Sequence, residues 1–360
     1  MGVLQVLYFV VILGVLILVH ELGHFVLAKR AGVKVEEFGI GFPPRLFSWR
    51  RGETEYSINL IPLGGYVRML GEEDPSAPRS FAAASRWWRI AILGAGATMN
   101  ILAAVVLFSG AYAAGWPEVT KAAIVVTQVQ PGTPAAQAGL LAGDVVKALA
   151  GQPVQRAEQL RSITNRTLGQ PTTIEITRNG QDLTLPITPR ATWPTDEGPI
   201  GIGIMEQPIQ EEPVYYSLPS ALVNGARQTV QTLILTVAVP VLVIRGVLPA
   251  DVARPVGPVG IYQITAQAAA ETIRSGWWFP VLRDAATISA GLGFANLLPI
   301  PGLDGGRLLF VVVEALRGRR VSPQRESMIH FIGLAFLVSL VLVITYFDLL
   351  FPVTVDLTPH

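Results

Sequence analysis

Residues 2–28, GVLQVLYFVVILGVLILVHELGHFVLA, form an apolar stretch interrupted only by Gln5, His20, Glu21 and His24. A helix rises about 1.5 Å per residue, so this length spans the ~30 Å hydrocarbon core of a bilayer. A signal peptide would carry Lys or Arg before its apolar stretch and a small-residue cleavage site after it, and the sequence shows neither. We therefore expect an uncleaved membrane span that carries three ionisable side chains.

The overall composition agrees with a membrane location. Hydrophobic residues make up 51% of the 360 residues and charged residues only 15%, whereas a soluble globular domain carries about 25% charged residues. The formal net charge of +1, without basic runs between aromatic residues, gives no indication of nucleic-acid binding. The absence of cysteine excludes disulfides and thiolate metal ligands.

Further apolar segments predict more membrane spans. Residues 90–114 follow an interfacial RWWR cluster, and residues 329–347 form the last clear span. Residues 285–316 are apolar but are interrupted by prolines and glycines. Residues 218–247 are ambiguous, because Pro240 shortens their apolar run; we expect a helix that lies against the membrane or the helix bundle.

Positive charge predicts the topology of these spans. Residues 29–89 hold ten Lys and Arg and residues 317–325 hold four, whereas the 165 residues from 116 to 280 hold only eleven. By the positive-inside rule, the two charge-rich connections are cytoplasmic and the long segment between them is outside. Four spans with both termini outside satisfy this pattern.

Two segments outside the spans have the patterns of β-structure. Between the first two spans, residues 55–60 and 65–69 have the composition of strands, separated by Pro62. From residue 123 to 204, short β-branched runs alternate with Gly and Pro turns around a helical piece at 157–167. We interpret this second segment as one small α+β domain.

The HELGH motif carries the candidate chemistry. On a helix, His20 and His24 share one face and can bind one ion, while Glu21 lies about 100° round from His20 and can act on a water molecule there. Two neutral imidazoles and a carboxylate suit Zn²⁺, whose catalytic sites leave one position open. Such residues inside a span indicate a functional site by default; polar side chains at the membrane interface are the alternative.

A second motif offers the third metal ligand. Asp304 lies in NLLPIPGLDGG, residues 296–306, where prolines and glycines interrupt a membrane segment. Such a break is tolerated only where protein or a water-filled cavity satisfies the freed backbone groups. We expect Asp304 to complete the metal site; the alternative is a proline kink in which Asp304 caps the following helix.

HELGH in the first span, a later NLLPIPGLDGG and an intervening domain resemble the site-2 protease family of zinc intramembrane metalloproteases. The resemblance covers nearly the whole chain and is closest to the bacterial branch that cleaves anti-sigma factors and remnant signal peptides. It implies that His20, His24 and Asp304 are the zinc ligands. It also implies that Glu21 is the general base and that Asn296 binds the substrate backbone.

The same resemblance implies further substrate contacts. The family's Gly-Pro-x-x-Asn pattern corresponds to residues 96–100, GATMN, where Ala97 replaces proline; Asn100 is therefore either a substrate contact or a buried packing residue. Residues 64–69, GGYVRM, resemble the family's re-entrant β-hairpin, whose edge strand pairs with an unwound substrate; a plain cytoplasmic hairpin is the alternative. The contacts expected there are Gly65, Tyr66, Val67 and Arg68.

The segment from residue 123 resembles a bacterial PDZ domain. Residues 134–144, PAAQAGLLAGD, match the signature P-x-x-x-A-G-L-x-x-G-D, and residues 198–203, GPIGIG, match the carboxylate-binding loop. Such a groove can receive a C-terminal peptide by strand addition, or the domain acts only as a size filter against bulky ectodomains. The residues expected to line the groove are Gly201, Ile202 and Gly203.

The predicted fold is a polytopic α-helical membrane protein with four transmembrane helices, a membrane-associated β-hairpin and one extracytoplasmic PDZ-like α+β domain. The expected segments, in order, are the first span (1–28), a cytoplasmic-side region with the hairpin (29–85), the second span (86–115), the PDZ-like domain (116–207), an amphipathic or membrane-associated helical linker (208–280), the third span (281–316), a cytoplasmic loop (317–328) and the fourth span (329–351).

The resemblance also implies the function: hydrolysis of peptide bonds within transmembrane segments of single-span membrane proteins, with Zn²⁺ as cofactor, at the bacterial inner membrane. Both termini and the PDZ-like domain would be extracytoplasmic. A transporter with broken helices is one rival, and it predicts an internal repeat of spans that the sequence does not show. An inactive scaffold is another, and it predicts loss of Glu21 or of a metal ligand. We expect His330 and His360 to be interfacial or solvated.

Overall fold

The apolar stretch that begins the chain forms one helix, α1 (Gly2–Arg30). Its other faces carry exposed apolar side chains, as expected of a helix that faces lipid, but one stripe is buried. The buried positions follow the three-to-four-residue period of one helix face and are Leu16, His20, Gly23, His24 and Ala28. Lys29 and Arg30 lie in the last turn, where positive charge stabilises the helix dipole.

The structure is a computed structural model that describes residues 2–72, 76–194, 197–249 and 254–353, so His360 lies outside the described residues. The elements after α1, in chain order, are β1 (Val35–Arg51), β2 (Thr54–Met69), α2 (Arg86–Ala113), β3 (Trp116–Val129), α3 (Pro134–Ala138), β4 (Val145–Leu149), β5 (Gln152–Pro153), α4 (Ala157–Arg166), β6 (Thr172–Arg178), β7 (Gln181–Ile187), β8 (Ile202–Val214), α5 (Leu218–Ile244), α6 (Pro258–Ser275), α7 (Phe279–Leu297), α8 (Asp304–Arg317) and α9 (Pro323–Leu350). They divide into two compact units. The smaller unit is Pro117–Val214, and the larger unit contains the described residues up to Trp116 and from Tyr215.

In the larger unit, β1 and β2 form a long antiparallel hairpin. The sequence predicted two strand pieces here, separated by Pro62. In the structure both pieces belong to β2 (Thr54–Met69), and residues 55–58 and 65–68 each pair with residues 37–40 of β1. Register shifts around Phe42 and Arg45 of the opposite strand accommodate the irregular stretch, in the way β-bulges do.

Helix α2 contacts both α1 and α7 at close range. A Cβ atom at Gly23 of α1 would lie 2.5 Å from the carbonyl oxygen of Ala95, and one at Gly293 of α7 would lie 2.9 Å from that of Ala97. Because glycine has no side chain, these helices approach backbone to backbone, a packing typical of membrane helices. Helix α2 is therefore held tightly between the other two.

Four helices in the described residues are long and apolar enough to cross a membrane: α1, α2, α5 and Gln324–Leu350 of α9. Their number matches the prediction, but one member differs. We expected Pro240 to leave residues 218–247 with an apolar run too short to cross a membrane. This is wrong, because α5 continues through the proline as one helix of 27 residues. A proline in such a helix is tolerated where local adjustments satisfy the freed carbonyl group. The predicted third span, by contrast, is divided into α7 and α8.

The smaller unit is an α+β domain with the strand order β7-β6-β4-β3-β8, in which β5 pairs with β4. Its core contains fully buried aliphatic side chains such as Ile124, Leu149 and Ile174, and each such burial contributes about 1.5–3 kcal/mol. The predicted domain end at residue 207 lies inside β8. The unit therefore ends seven residues later than predicted, at Val214.

Candidate metal centre

The two histidines of α1 and the aspartate that begins α8 converge on one point. Nε2 of His20 lies 3.0 Å from Oδ2 of Asp304 and 3.1 Å from Nε2 of His24, and the third side of this triangle is 3.2 Å. Both imidazoles are buried. Within the part of the chain that the structure describes, these three residues form a group able to hold a metal ion. The structure thus brings together the three predicted ligands.

The donor set fits a zinc ion. Zinc binds imidazole nitrogen and carboxylate oxygen at about 2.0–2.2 Å, which in a tetrahedral centre separates the ligand atoms by about 3.3–3.5 Å. The observed separations of 3.0 to 3.2 Å are close to this. Three protein ligands leave the fourth position open, as in catalytic rather than structural zinc sites.

Helix α2 supports both imidazoles from behind. Nδ1 of His24 donates a hydrogen bond to the carbonyl oxygen of Ile92 at 2.7 Å, so its Nε2 presents a lone pair to the metal position. One turn further along α2, a Cβ atom at Gly96 would lie 2.6 Å from Nε2 of His20 and would also contact His24. Only glycine therefore fits at this position.

The broken membrane segment brings Asp304 to the histidines. Helix α7 ends at Leu297, and the loop that follows contains Gly302 at φ +100°, a conformation that favours glycine. The Gly302 N–H donates to Nδ1 of His330 at 3.0 Å, so His330 holds this turn. The alternative in which Asp304 caps α8 is wrong, because the N-cap is Leu303 and the Asp304 carboxylate contacts the imidazoles.

Glu21 opens onto a polar cavity beside the metal centre. The cavity measures about 240 Å³, and its lining includes Glu21, His24, Tyr66, Val67, Asp304 and Arg307. Strand β2 passes next to this glutamate, since a Cβ atom at Gly65 would lie 3.3 Å from Cγ of Glu21. The predicted general base therefore lies between the metal ligands and the hairpin.

The predicted substrate-binding residues of the larger unit differ in their placement. Tyr66 and Val67 line the cavity, whereas Arg68 forms ion pairs with glutamates of the hairpin. Asn296 is half-buried in the last turn of α7. Asn100 is buried beside His20, behind the metal ligands. Among these six positions, counting Gly65, the hairpin residues 65–67 are the ones next to Glu21.

Sequence reasoning missed Glu72 and Arg307, which both line the cavity. Nη1 of Arg307 donates to Oε2 of Glu72. The same pair borders a second cavity of about 110 Å³ together with Arg89 and Glu314. Arg307 could have been found from its place three residues after Asp304, on the same face of a helix, whereas Glu72 follows the hairpin without any motif.

The predicted groove residues lie in the smaller unit. A cavity of about 370 Å³ is lined by Leu160, Arg161 and Thr164 of α4 and by Gly201 and Ile202 on the opposite side. Gly203 follows on β8 but does not belong to this lining. A groove between a strand and a helix can accept an extended peptide.

Zinc peptidases activate water with a carboxylate placed next to a three-ligand metal position. The centre described above has that arrangement, and two of its ligands lie on a helix of membrane-spanning length. Fold and site together therefore define a metal-dependent peptidase of the membrane.

Comparison with known proteins assigns the chain to one family. The family model described as Peptidase family M50 matches residues 8–340 of this chain. The zinc metalloprotease RasP of Oceanobacillus iheyensis is 30% identical and aligns over 96% of this chain and 98% of its own. The regulator of sigma-W protease RasP of Bacillus subtilis is also 30% identical, and the alignment covers 97% of this chain and 99% of that protein. A solved PDZ domain of an SdrC-like protein from Listeria monocytogenes matches 24% of this chain and 93% of that chain, with 22% identity and a TM-score of 0.22.

The chain thus belongs to peptidase family M50, the site-2 proteases. It is a zinc metalloprotease and a multi-pass membrane protein. The predicted family, enzyme class and cofactor are confirmed, and the family membership decides against a transporter.

Proposed function

We propose that this zinc metalloprotease hydrolyses peptide bonds within the transmembrane segments of single-span membrane proteins. In this proposal His20, His24 and Asp304 hold the zinc ion and Glu21 is the general base. The observation that carries the proposal is the convergence of the three ligand atoms to within 3.2 Å of one another, with two of the ligands on a helix apolar enough to cross a membrane. A peptidase site on such a helix faces substrates that are themselves in the membrane.

The reaction divides between the metal and the side chains around it. When bound, zinc lowers the pKa of its water towards about 7 and polarises the scissile carbonyl. Glu21 takes a proton from the attacking water and passes it to the leaving amine nitrogen. The polar cavity of about 240 Å³ beside Glu21 has room for the water and the scissile bond.

The substrate is proposed to bind as an extended strand beside residues 65–67 of β2. A helical substrate has its carbonyl groups hydrogen-bonded and covered, so it unwinds before hydrolysis. Strand addition to β2 would replace its lost backbone hydrogen bonds. The close approach of Gly65 to Glu21 supports this geometry, because a larger side chain there would crowd the base. Asn296, at the end of α7, is a further proposed contact to the substrate backbone.

The hairpin is proposed to be membrane-associated. Large apolar side chains are exposed along its outer half, among them Phe42, Leu46, Phe47 and Trp49. Exposed apolar side chains clustered on one element are typical of a surface that contacts lipid or another protein. This supports a hairpin that dips into the bilayer rather than a plain cytoplasmic hairpin.

The broken segment is proposed to cross the membrane once, as α7 followed by α8. The indole N–H of Trp277, just before α7, donates to the carbonyl oxygen of Gly115, just after α2. At the other end, Glu314 in the last turn of α8 pairs with Arg89 in the first turn of α2. Helices α7 and α8 together therefore run antiparallel to α2 along its full length. The proposed crossings are therefore α1, α2, the pair formed by α7 and α8, and α9, while α5 is associated with the membrane without crossing it. An even number of crossings places both termini on the same side, which is the outside.

The proposed localisation is the bacterial inner membrane, with the smaller unit extracytoplasmic. The high density of Lys and Arg at residues 29–89 and 317–325 supports this orientation by the positive-inside rule. The name of the Bacillus subtilis relative, regulator of sigma-W protease, supports anti-sigma factors as substrates, beside remnant signal peptides. The groove of the smaller unit is proposed to be PDZ-like and to take a C-terminal peptide of a partner; a size filter is the alternative.

The test compares the purified full chain with Glu21→Gln for zinc content and for cleavage of a single-span test substrate. We expect one zinc per chain in both proteins and cleavage only by the unmodified one. Glu36→Gln, on the hairpin, is a control expected to retain cleavage. Bound zinc without cleavage by the unmodified protein would overturn the protease assignment to this substrate class, and equal cleavage by Glu21→Gln would overturn the role of Glu21.

A further inference from the structure

Asn100 of α2 lies beside the edge of the His20 ring that carries Nδ1 and points away from the metal position. Its side chain is buried, with 1% of the residue surface exposed. Nδ2 of Asn100 lies 3.4 Å from Nδ1 of His20. The other amide atom, Oδ1, is buried and has no hydrogen-bond partner among the described residues. A buried carbonyl oxygen without a donor is unfavourable, because it has lost its hydrogen bonds to water and gained none.

The chemistry of His20 supplies the missing donor. Nε2 of His20 faces Asp304 and His24, and a neutral imidazole that presents one nitrogen to a metal carries its proton on the other. Nδ1 of His20 therefore needs an acceptor. His24 has such an acceptor in the Ile92 carbonyl, whereas Nδ1 of His20 lies against the amide group of Asn100.

A half-turn of the amide about its Cβ–Cγ bond exchanges Oδ1 and Nδ2 without changing the space that the side chain fills. Oδ1 then accepts the hydrogen bond from Nδ1–H of His20. The backbone that carries Asn100 is fixed, because the hydroxyl of Ser289 donates to its carbonyl oxygen at 2.8 Å. A Cβ atom at Gly293 would lie 3.4 Å from Cβ of Asn100, so α7 packs directly against it.

We propose that Asn100 is a positioning residue for the metal centre and not a contact to the substrate. Its Oδ1 holds the Nδ1–H of His20, as the Ile92 carbonyl holds that of His24, and so keeps Nε2 of His20 aimed at the metal position. A hydrogen-bond acceptor at the nitrogen that does not bind the metal fixes the tautomer and the orientation of a ligand histidine. The proposal rests on the zinc ligands assigned under the proposed function.

The test measures zinc affinity of the full chain in detergent by competition with a chromogenic chelator. Asn100→Leu keeps the branched arrangement of heavy atoms but removes the acceptor, and we expect it to weaken zinc binding about 10–100-fold. Asn100→Asp keeps an acceptor and removes the NH₂ donor, and we expect its affinity to stay within a few-fold of the unmodified protein. Asn296→Leu, the matched control at the other predicted asparagine, should leave zinc affinity unchanged.

The outcomes separate this inference from the proposed function. If the unmodified protein binds no zinc, the proposed function fails. If it binds zinc and Asn100→Leu binds equally tightly, only the positioning role fails, and a raised KM would then assign Asn100 to the substrate. If Asn100→Leu does not fold, Asn100→Asp decides: retained affinity supports the acceptor role, and a tenfold loss overturns it.

Discussion

At the scale of single residues, the metal centre depends on the absence of a side chain at Gly96. An alanine there would place a methyl group 2.6 Å from Nε2 of His20, so the imidazole would have to leave the metal position. We expect Gly96→Ala to weaken zinc binding at least about tenfold, the lower end of the effect of disturbing the groups that orient a ligand histidine. Chelator competition on the purified chain measures this.

Gly94, on the same helix, is the matched control. A Cβ atom at Gly94 would have no neighbour within 4 Å. We expect Gly94→Ala to leave zinc affinity unchanged and to stabilise α2 by about 0.5–1 kcal/mol, because alanine loses less backbone entropy in a helix. Equal zinc affinity of the two variants would contradict the contact assigned to Gly96.

At the scale of elements, a buried ion pair joins α2 to α8. Arg89 and Glu314 lie 2.7 Å apart, with 8% and 7% of their side chains exposed. In Arg89→Leu the carboxylate stays buried and keeps only more distant guanidinium groups, of which Arg320 lies at 3.3 Å. We expect the free energy of unfolding to fall by about 3 kcal/mol, the lower end for breaking a buried pair. Denaturant unfolding of the full chain in detergent measures this.

The control is the ion pair between Arg79 and Glu53, which belongs to the same unit but is more exposed, with 54% and 29% of the two side chains accessible. Arg79→Ala should lower the free energy of unfolding by no more than about 1 kcal/mol, because solvent screens such pairs. If both variants lost the same free energy of unfolding, the buried Arg89–Glu314 pair would not stabilise the packing of α2 and α8 more than a surface pair does.

Asp144 links α3, β4 and β6 in the smaller unit and gives it a pH dependence. Burial raises the pKa of Asp144, but hydrogen bonds from Arg178 and from the Leu141 N–H, with the charge of Arg178, outweigh this and lower the pKa. A lowered pKa means that this stabilisation is complete above the ordinary pKa of 3.8 and is lost as pH falls through the lower value.

We expect Asp144→Asn to speed amide hydrogen exchange in β4 and β6 at pH 7, because it removes the paired charge. Once the pH has fallen through the lowered pKa of Asp144, the variant and the unmodified chain should differ much less, since the carboxyl group is then neutral in both folded and unfolded states. Hydrogen exchange followed by mass spectrometry checks this. An unchanged exchange rate at pH 7 would remove Asp144 as a stabilising contact of the unit.

At the scale of the whole molecule, the proposed orientation can be tested with single cysteines, because the chain has none. Gln181→Cys lies at an exposed position of the smaller unit, and Arg319→Cys lies at an exposed position between α8 and α9. We expect a membrane-impermeant maleimide to label the first in intact spheroplasts and the second only after lysis. The reverse pattern would invert the topology.

The metal motif could be predicted because its geometry is local. His20, Glu21 and His24 share one helix, and helical periodicity alone sets which side chains can meet. Asp304 could be singled out because an acid among prolines and glycines is unfavourable in an apolar segment unless it has a function. The α+β domain followed from alternating β-branched runs and turns. These predictions needed only spacing, polarity and the thickness of the membrane.

Only the tertiary structure decided which residues surround those ligands. Gly96 and Asn100 meet His20 because α2 packs against α1, and Glu72 meets Arg307 because the hairpin ends beside α8. Spacing along the chain determines contacts within one element, but contacts between elements depend on how helices pack. The sequence alone therefore determined the chemistry of this protease, and the packing of α1, α2 and α8 decided how its ligands are held.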